Sequence, residues 1–287
     1  MDERDWQILK VLYERNNITK AAQDLYISQP ALTNRLQQIE EEFKVKIVNR
    51  GKKGVHFTPQ GEYLANTAEE VILKLRKIRE NVLNLEENVT GTLRIGASKS
   101  VTKYKLPNLL RLFKLQYPNV NFVVKTGWSR DINNLVYNED VHIGFVRGDY
   151  TWPDQKYLLF EERLCIASAQ PVSLSDLPKL PRIDYQTDYL LKAIVDNWWT
   201  ENYAQPPLIS MEVDDVDTCK EMVINGLGYG IMSSLVLDGI EPIHRKEILH
   251  KNGEPLSRQT WMFYYGESLK MNVVKAFVQF IEQRAHV

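Results

Sequence analysis

Residues 21–43, AAQDLYISQPALTNRLQQIEEEF, carry an apolar rhythm of helical period that breaks once, at Tyr26–Ile27–Ser28, and then resumes. Ile18, Ala21, Ala22 and Leu25 fall at i, i+3, i+4 and i+7, so they share one face of a helix on which two alanines let a neighbour approach closely. Leu32, Leu36, Ile39 and Phe43 line the next helix. That helix opens on Ser28 as N-cap, with Pro30 in its first turn, where an N–H would have had no intrahelical partner. Ahead of both, Trp6, Leu9, Leu12 and Tyr13 predict a first helix, with Asn16–Asn17 as its stop.

The face of the third helix opposite its apolar stripe carries Pro30, Thr33, Asn34 and Gln37, and Ser28 and Gln29 stand at its N-terminal end. Short amides and hydroxyls of this kind donate and accept at base edges in a major groove, and a helix N-terminus attracts phosphate. The arrangement predicts a helix-turn-helix. From Phe43 to Gly61 the chain then carries Lys44, Lys46, Arg50, Lys52 and Lys53 and no acidic residue. NRGKKGVHFT, with two glycines around two lysines and alternating Val55 and Phe57, predicts a β-hairpin wing on the DNA backbone. The formal charge of the whole chain, -1, conceals this patch. The competing reading, a solvated charge run beside an ordinary helical hairpin, fits each piece alone but not their order.

The run Thr19, Ala21, Ala22, Leu25, Ile27, Ser28, Gln29, Pro30, Ala31, Leu32, Thr33, Leu36, Ile39 and Glu40 resembles the winged helix-turn-helix of LysR-type transcriptional regulators. The family's following LGxxLFxR…xTxxG segment is matched by Phe43 through Gly61, with Lys44 in place of the usual glycine and Val48 in place of phenylalanine.

After Thr58–Pro59, a helix start, Leu64, Ala68, Val71, Leu75, Ile78, Val82 and Leu85 repeat at alternating spacings of four and three. This narrow stripe, flanked by charges such as Glu69, Lys74, Arg76 and Glu80, predicts a helix that pairs with a second copy of the chain. A helix packed only on its own domain would carry a wider stripe. Two copies would present two recognition helices to a palindromic site. The resembling family uses its linker helix in this way.

Near NVTGTLRIGAS the pattern changes from charged helix to strand. The strand-like runs TLRIGA, NFVVKT, VHIGFV and LCIAS alternate with helices starting near Tyr104 and Ser129, which predicts βαβ units and a parallel sheet. LPRIDY, ISMEV, YGIMSS and TWMFYY read as further strands, with helices at 189–203, at 217–225 and at the C-terminal end. Ligands of open α/β sheets collect at strand ends, which selects Ser98, Lys99, Ser100, Thr102, Ser129 and Arg147.

The resemblance implies an effector domain of two lobes, related to periplasmic binding proteins, with two chain crossings and a small ligand in the cleft. The crossings are expected near Cys165–Ser168 and Arg258–Tyr265, which brings Arg258 to Arg147. Two guanidinium forks with hydroxyls suit a carboxylate. Within the family, DTCKEM, VRG and the surroundings of Arg258 look most like the citrate-responsive catabolite control protein E branch, so a small polycarboxylate is the expected effector. VDTCKEMVINGLGYGIMSS resembles a family element through Val223, Gly226, Gly228 and Gly230, but Ser233 stands where proline is usual.

The expected fold class is therefore α+β multidomain: a winged helix-turn-helix at about 1–58, a linker dimerisation helix at about 59–88 and a two-lobed α/β effector domain at about 89–287. Lobe I would comprise about 91–165 and 265–287, and lobe II about 166–264. Expected partners are double-stranded promoter DNA, a small-molecule effector, a second copy of the chain (a dimer, or a dimer of dimers) and RNA polymerase.

No resident cofactor or metal is expected, because Cys165 and Cys219 are the only cysteines and have no ligand-spaced neighbours. An enzyme is disfavoured by the absence of H-x-x-x-H, G-x-S-x-G, P-loop and C-x-x-C patterns, and by histidines without a shared spacing. The acidic opening MDERDWQILK and the lack of any run of 18 apolar residues predict a cytoplasmic protein with no membrane span. The alternative function is an architectural DNA binder with no effector.

Overall fold

The computed structural model describes residues 1–51, 54–83, 88–240 and 243–284. They form two compact units, Met1–Leu85 and Glu86–Val287.

The first unit contains α1 (Glu3–Arg15), α2 (Ile18–Asp24), α3 (Gln29–Phe43), the hairpin β1 (Val48–Gly51) and β2 (Gly54–Phe57), and α4 (Pro59–Leu83). Local chemistry sets the boundaries. Asp2 and Asp5 cap α1 reciprocally, Asn16 ends it in the left-handed conformation, and Asn17 caps α2 by accepting from the Lys20 N–H. Ser28 caps α3 by accepting from the Ala31 N–H at 3.3 Å. Leu9, Leu12, Ala21, Leu32, Leu36, Ile39 and Ile47 form the core. Ala21 and Ala22 are buried, as a close helix contact requires.

Glu40 ties α3 to the segment that enters the β1–β2 hairpin. Its carboxylate accepts from the Ile47 N–H at 2.8 Å and the Val48 N–H at 3.3 Å, and pairs with Lys46 at 3.0 Å. Burial by itself raises the Glu40 pKa, but these three donors outweigh it and hold the group below the ordinary carboxyl value. A depressed carboxyl stabilises the fold fully above its unfolded pKa of about 4.3, and the contribution is lost as pH falls through the lower folded value. Glu40→Gln is therefore expected to flatten the acid limb of this unit's melting curve below about pH 4.3. Thermal melts across pH 3–6 check this.

Lys44, at the family's glycine position, ends α3 in the left-handed conformation with φ of 54°. Lys44→Gly is expected to add about 1 kcal/mol of stability by removing a Cβ from that region, measured by the denaturation midpoint.

The apolar stripe of α4 divides in two. Leu64 and Ala68 are buried in the core of their own unit, and α4 is tied to α1 by Lys10–Glu69 at 2.8 Å and by the Arg79–Glu3 pair. Ile78 and Val82 further along are 51% and 60% exposed. Leu85 lies outside the described residues.

In the second unit, β3 (Gly91–Ser98), α5 (Lys99–Tyr104), α6 (Leu106–Gln116), β4 (Val120–Gly127), α7 (Ser129–Tyr137) and β5 (Ile143–Arg147) build the first lobe. The long strand β6 (Gln155–Ser168) leads to β7 (Arg182–Tyr185), α8 (Tyr189–Asn202), β8 (Ile209–Val213), α9 (Val216–Ile224), β9 (Gly230–Ser233), α10 (Ser234–Leu237) and β10 (His244–Glu247) of the second. Then β11 (Ser257–Tyr264) returns the chain to α11 (Asn272–Arg284) on the first lobe, where Val273, Val274, Phe277 and Phe280 pack with Leu93, Phe113 and Phe145.

The main sheet runs β10-β6-β11-β5-β3-β4, with β9 also paired to β6. Within it β3 runs parallel to β4 and β5, and β7 and β8 form a separate two-stranded parallel sheet, whereas β11 is antiparallel to both β5 and β6. The expected parallel sheet is corrected to a mixed one. The first part of β6 pairs with β11, and Leu164–Ala167 pairs with β9. The crossings are thus antiparallel neighbours, and β6 passes from pairing with β11 to pairing with β9 between Arg163 and Leu164, next to the expected Cys165.

One strand and the first part of another escaped the sequence pattern. QKYLLFEER carries charge on a strand only partly buried, which masks its alternation, and HRKE is an exposed, wholly polar edge strand held by backbone pairing to β6.

Candidate functional site

In the first unit, Ser28, Gln29, Pro30, Asn34 and Gln37 are all exposed along one side of α3. Thr33 differs from expectation: it is half-buried, and its hydroxyl is enclosed with no hydrogen-bond partner among the described residues. The outward amides are those of Asn34 and Gln37. Arg35 is committed within the fold, stapling α3 to α1 through Asp5 at 2.8 Å and Asp2 at 3.2 Å. In the wing, β1 and β2 pair antiparallel with Arg50 opposite Val55. The side chain of Arg50 and both Lys52 and Lys53 lie outside the described residues.

In the second unit one cavity of about 490 Å³ lies between the lobes. Ser98, Lys99, Ser100, Thr102, Ser129, Arg147 and Arg258, the residues selected from strand ends and the crossings, all line it. The strands end here because β3, β4 and β5 run parallel and deliver α5 and α7 N-terminus first to the same edge. Ser98 precedes α5, is buried, and has a hydroxyl with no partner among the described residues. Neither α5 nor α7 has an N-terminal N–H capped by a side chain of its N-cap residue. By contrast, α8 and α9 from the other lobe are capped by Asp188 and Asp215.

The two arginines occupy the floor, 6% and 3% exposed. Arg147 donates to Ser100 Oγ at 2.8 Å and to Ser233 Oγ at 3.2 Å, and pairs with Glu162, itself 3% exposed. Its backbone N–H donates to Ser129 Oγ at 3.1 Å. Arg258 pairs with Asp188 and donates to the Arg147 carbonyl at 3.3 Å. Burial first, and then the neighbouring Arg147, push its pKa down, and Asp188 counters both.

Both arginines expected in the cleft line it, and each guanidinium is also held from within the fold. Each arginine has an internal carboxylate partner, so the four charges balance and knit the lobe junction. This follows from burial, which makes an unpaired guanidinium too costly.

Sequence reasoning missed Glu162 and Asp188, which lie far from the strand-end motifs, and also Lys103, Thr126, Trp128, Asp217 and Ser233. One signal was present. Ser233, where the family has proline, supplies the hydroxyl that Arg147 meets. Over Lys99, which follows Ser98, the Trp128 ring lies with its centroid 4.9 Å from the ammonium.

Cys165 and Cys219 are buried, which pushes their thiols up to about 11 and about 12, so both stay protonated and unreactive near neutral pH. Among the described residues no cluster of His, Cys, Asp and Glu is arranged to hold a metal, and no helix is long and apolar enough to cross a membrane.

Residues 4–62 match the family model for the bacterial regulatory helix-turn-helix protein of the lysR family, and residues 86–286 match the LysR substrate binding domain. The HTH-type transcriptional regulator YraN of Bacillus subtilis is 42% identical over 98% of both chains, and YkuM of the same organism is 33% identical over 98% of this chain and 97% of its own. The fold is similar to full-length CbnR in complex with its target DNA, with a TM-score of 0.70 at 17% identity and 99% of both chains covered. It is also similar to the full-length Vibrio cholerae virulence activator AphB, with a TM-score of 0.64 at 15% identity over 99% and 100% of the two chains. These relatives and folds are those of transcriptional regulators, not enzymes.

Proposed function

Because the chain belongs to the LysR family of transcriptional regulators, with a DNA-binding and an effector-binding domain, we propose that it binds promoter DNA as an oligomer and answers to a small carboxylate held between its effector lobes. The observation that carries the effector half is the cavity of about 490 Å³, whose edge is lined by Lys99 and by Ser129 at the N-terminus of α7. Citrate is the first candidate, on the resemblance of DTCKEM, VRG and the Arg258 region to the citrate-responsive branch. An architectural protein without an effector leaves this cavity between the lobes unexplained.

The DNA half rests on the exposed row from Ser28 to Gln37 and on the bases of the wing. Asn34 and Gln37 read base edges, and Lys46 with the wing lysines and Arg50 supply phosphate contacts. The exposed Ile78 and Val82 on α4 supply the pairing face of a dimer, which presents two recognition helices to two half-sites. A ligand that prefers one lobe arrangement shifts how dimers sit relative to one another. This alters promoter occupancy or contact with RNA polymerase.

The test is a thermal-shift series on the full chain with citrate, malate, succinate and butyrate, paired with footprinting on its own upstream region. A ligand at one hundred times its Kd stabilises the folded state by about 2.7 kcal/mol. Asn34→Ala is expected to relax sequence preference by about 1–3 kcal/mol at one base position without changing the salt slope. No stabilisation by any of the acids would refute the effector half, and an unaltered binding profile for Asn34→Ala would refute the docking of α3.

A further inference from the structure

Beside the arginine floor, a second charged cluster closes the rim of the same cavity. Asp217 of α9 and Lys103 of α5 both line it, one from each lobe. A single oxygen of Asp217, Oδ1, receives Lys103 at 2.7 Å, Lys220 at 3.2 Å and the Tyr104 hydroxyl. Lys220 also donates to the Tyr104 hydroxyl at 3.1 Å, and both ammonium groups lie 5.4 Å from the centroid of the Tyr104 ring.

Two lysines thus share one carboxylate. The Arg147–Glu162 and Arg258–Asp188 pairs are balanced, whereas this cluster holds one positive charge in excess at the cavity edge. Lys220 is enclosed, with a side chain 9% exposed, so its claim on Asp217 is fixed. Lys103 is 54% exposed and free to turn.

We infer that Lys103 is the contact for a second carboxylate on the effector, and that Asp217 is a tethered anion competing with the effector for that lysine. The inference rests on the reading of the cavity as an effector site and narrows it to a ligand with at least two carboxylates. One carboxylate meets the Ser98–Lys99 end, and the other turns Lys103 away from Asp217, which keeps Lys220 and Tyr104. Lys103 thereby determines specificity for dicarboxylates and tricarboxylates over monocarboxylates.

The experiment titrates the full chain by calorimetry with succinate, malate and citrate against butyrate and lactate, in wild type, Lys103→Met and Asp217→Asn. Wild type is expected to bind at least one acid with two or more carboxylates about tenfold or more tighter than the monocarboxylates, the scale of one charge-assisted contact. Lys103→Met is expected to erase that preference. Asp217→Asn, which removes the competitor, is expected to tighten binding of the same acid severalfold. Cluster residues that merely brace the lobes would give the opposite, because losing Asp217 would loosen the cleft and weaken binding.

A preference that survives Lys103→Met, weaker binding by Asp217→Asn, or monocarboxylates bound as tightly as the rest would each overturn the inference and leave the effector site standing. Silence of every acid in all three proteins would remove the effector reading itself, and this inference with it. Circular-dichroism melts confirm that each variant is folded.

Discussion

Arg147→Ala is expected to destabilise the effector unit by about 3–5 kcal/mol, a large fraction of the roughly 5–15 kcal/mol that holds a domain folded. The substitution strands Glu162, a carboxylate 3% exposed, without its cation, and it also removes donors from the Ser100 and Ser233 hydroxyls. Stranding one member of a buried pair costs far more than the pair contributes net, since the survivor keeps its desolvation and loses its compensation. Arg147→Met combined with Glu162→Leu should therefore recover most of the loss. Urea denaturation of the wild type, Arg147→Met, Glu162→Leu and the double variant closes the cycle, with Arg147→Ala measured beside them. An unaltered midpoint for Arg147→Ala would contradict the burial of this pair. A corollary concerns effector response: its loss in Arg147→Ala reports a damaged lobe junction before it reports a missing ligand contact.

Gly61→Ala is expected to have an effect of similar size in the DNA-binding unit. A Cβ at Gly61 would lie 2.1 Å from the Ile47 carbonyl oxygen and 2.9 Å from its carbon, and that same oxygen accepts the Thr58 N–H at 2.9 Å. The obstacle is backbone at the entry to the wing, with no side-chain rotamer to swing aside. Either α4 or β1 must shift, at a cost of about 3 kcal/mol or more, the upper range for overpacking. Gly51→Ala is the control, because the nearest atom to its Cβ would be 3.8 Å away in ordinary contact. Melting of the first unit and affinity for any duplex should fall for Gly61→Ala and barely change for Gly51→Ala. Equal behaviour of the two would refute the close approach of the wing to α4.

Some of this was legible in the chain and some was not. Ser28, Asn16, Asn17 and Ala21 announced their roles because capping and close helix packing depend on a few neighbouring residues. Lys44 stands where the resembling family has glycine, and it ends α3 in the left-handed conformation all the same. Thr33 was misjudged by position alone: it belongs to the outward arc of the helix, yet its hydroxyl is enclosed. The stripe along α4 was read as one seam, but its N-terminal part is taken up by the core of its own unit, a distinction that periodicity does not encode.

In the effector unit, the strand-end rule led to Ser98, Lys99, Ser100, Thr102, Ser129 and Arg147 because parallel strands deliver their helices to a common edge. The rule says nothing of electrical balance. Glu162 on β6 stands opposite Arg258 on β11, and Asp188 caps α8, so the partners that neutralise the arginines come from elements with no ligand-binding signature.

By itself the order of residues determined the three helices and wing of the first unit, most of the strands that build the lobes, and the edge at which a ligand would gather. All of these depend on period, caps and turns within a few residues. Only the tertiary structure decided which charges remain available, because Tyr104 meets Asp217 across 113 positions and Arg147 meets Ser233 across 86. Such pairings are chosen by burial, which forces each enclosed ion to find whatever counter-charge the folded chain brings near, and nothing local records that choice.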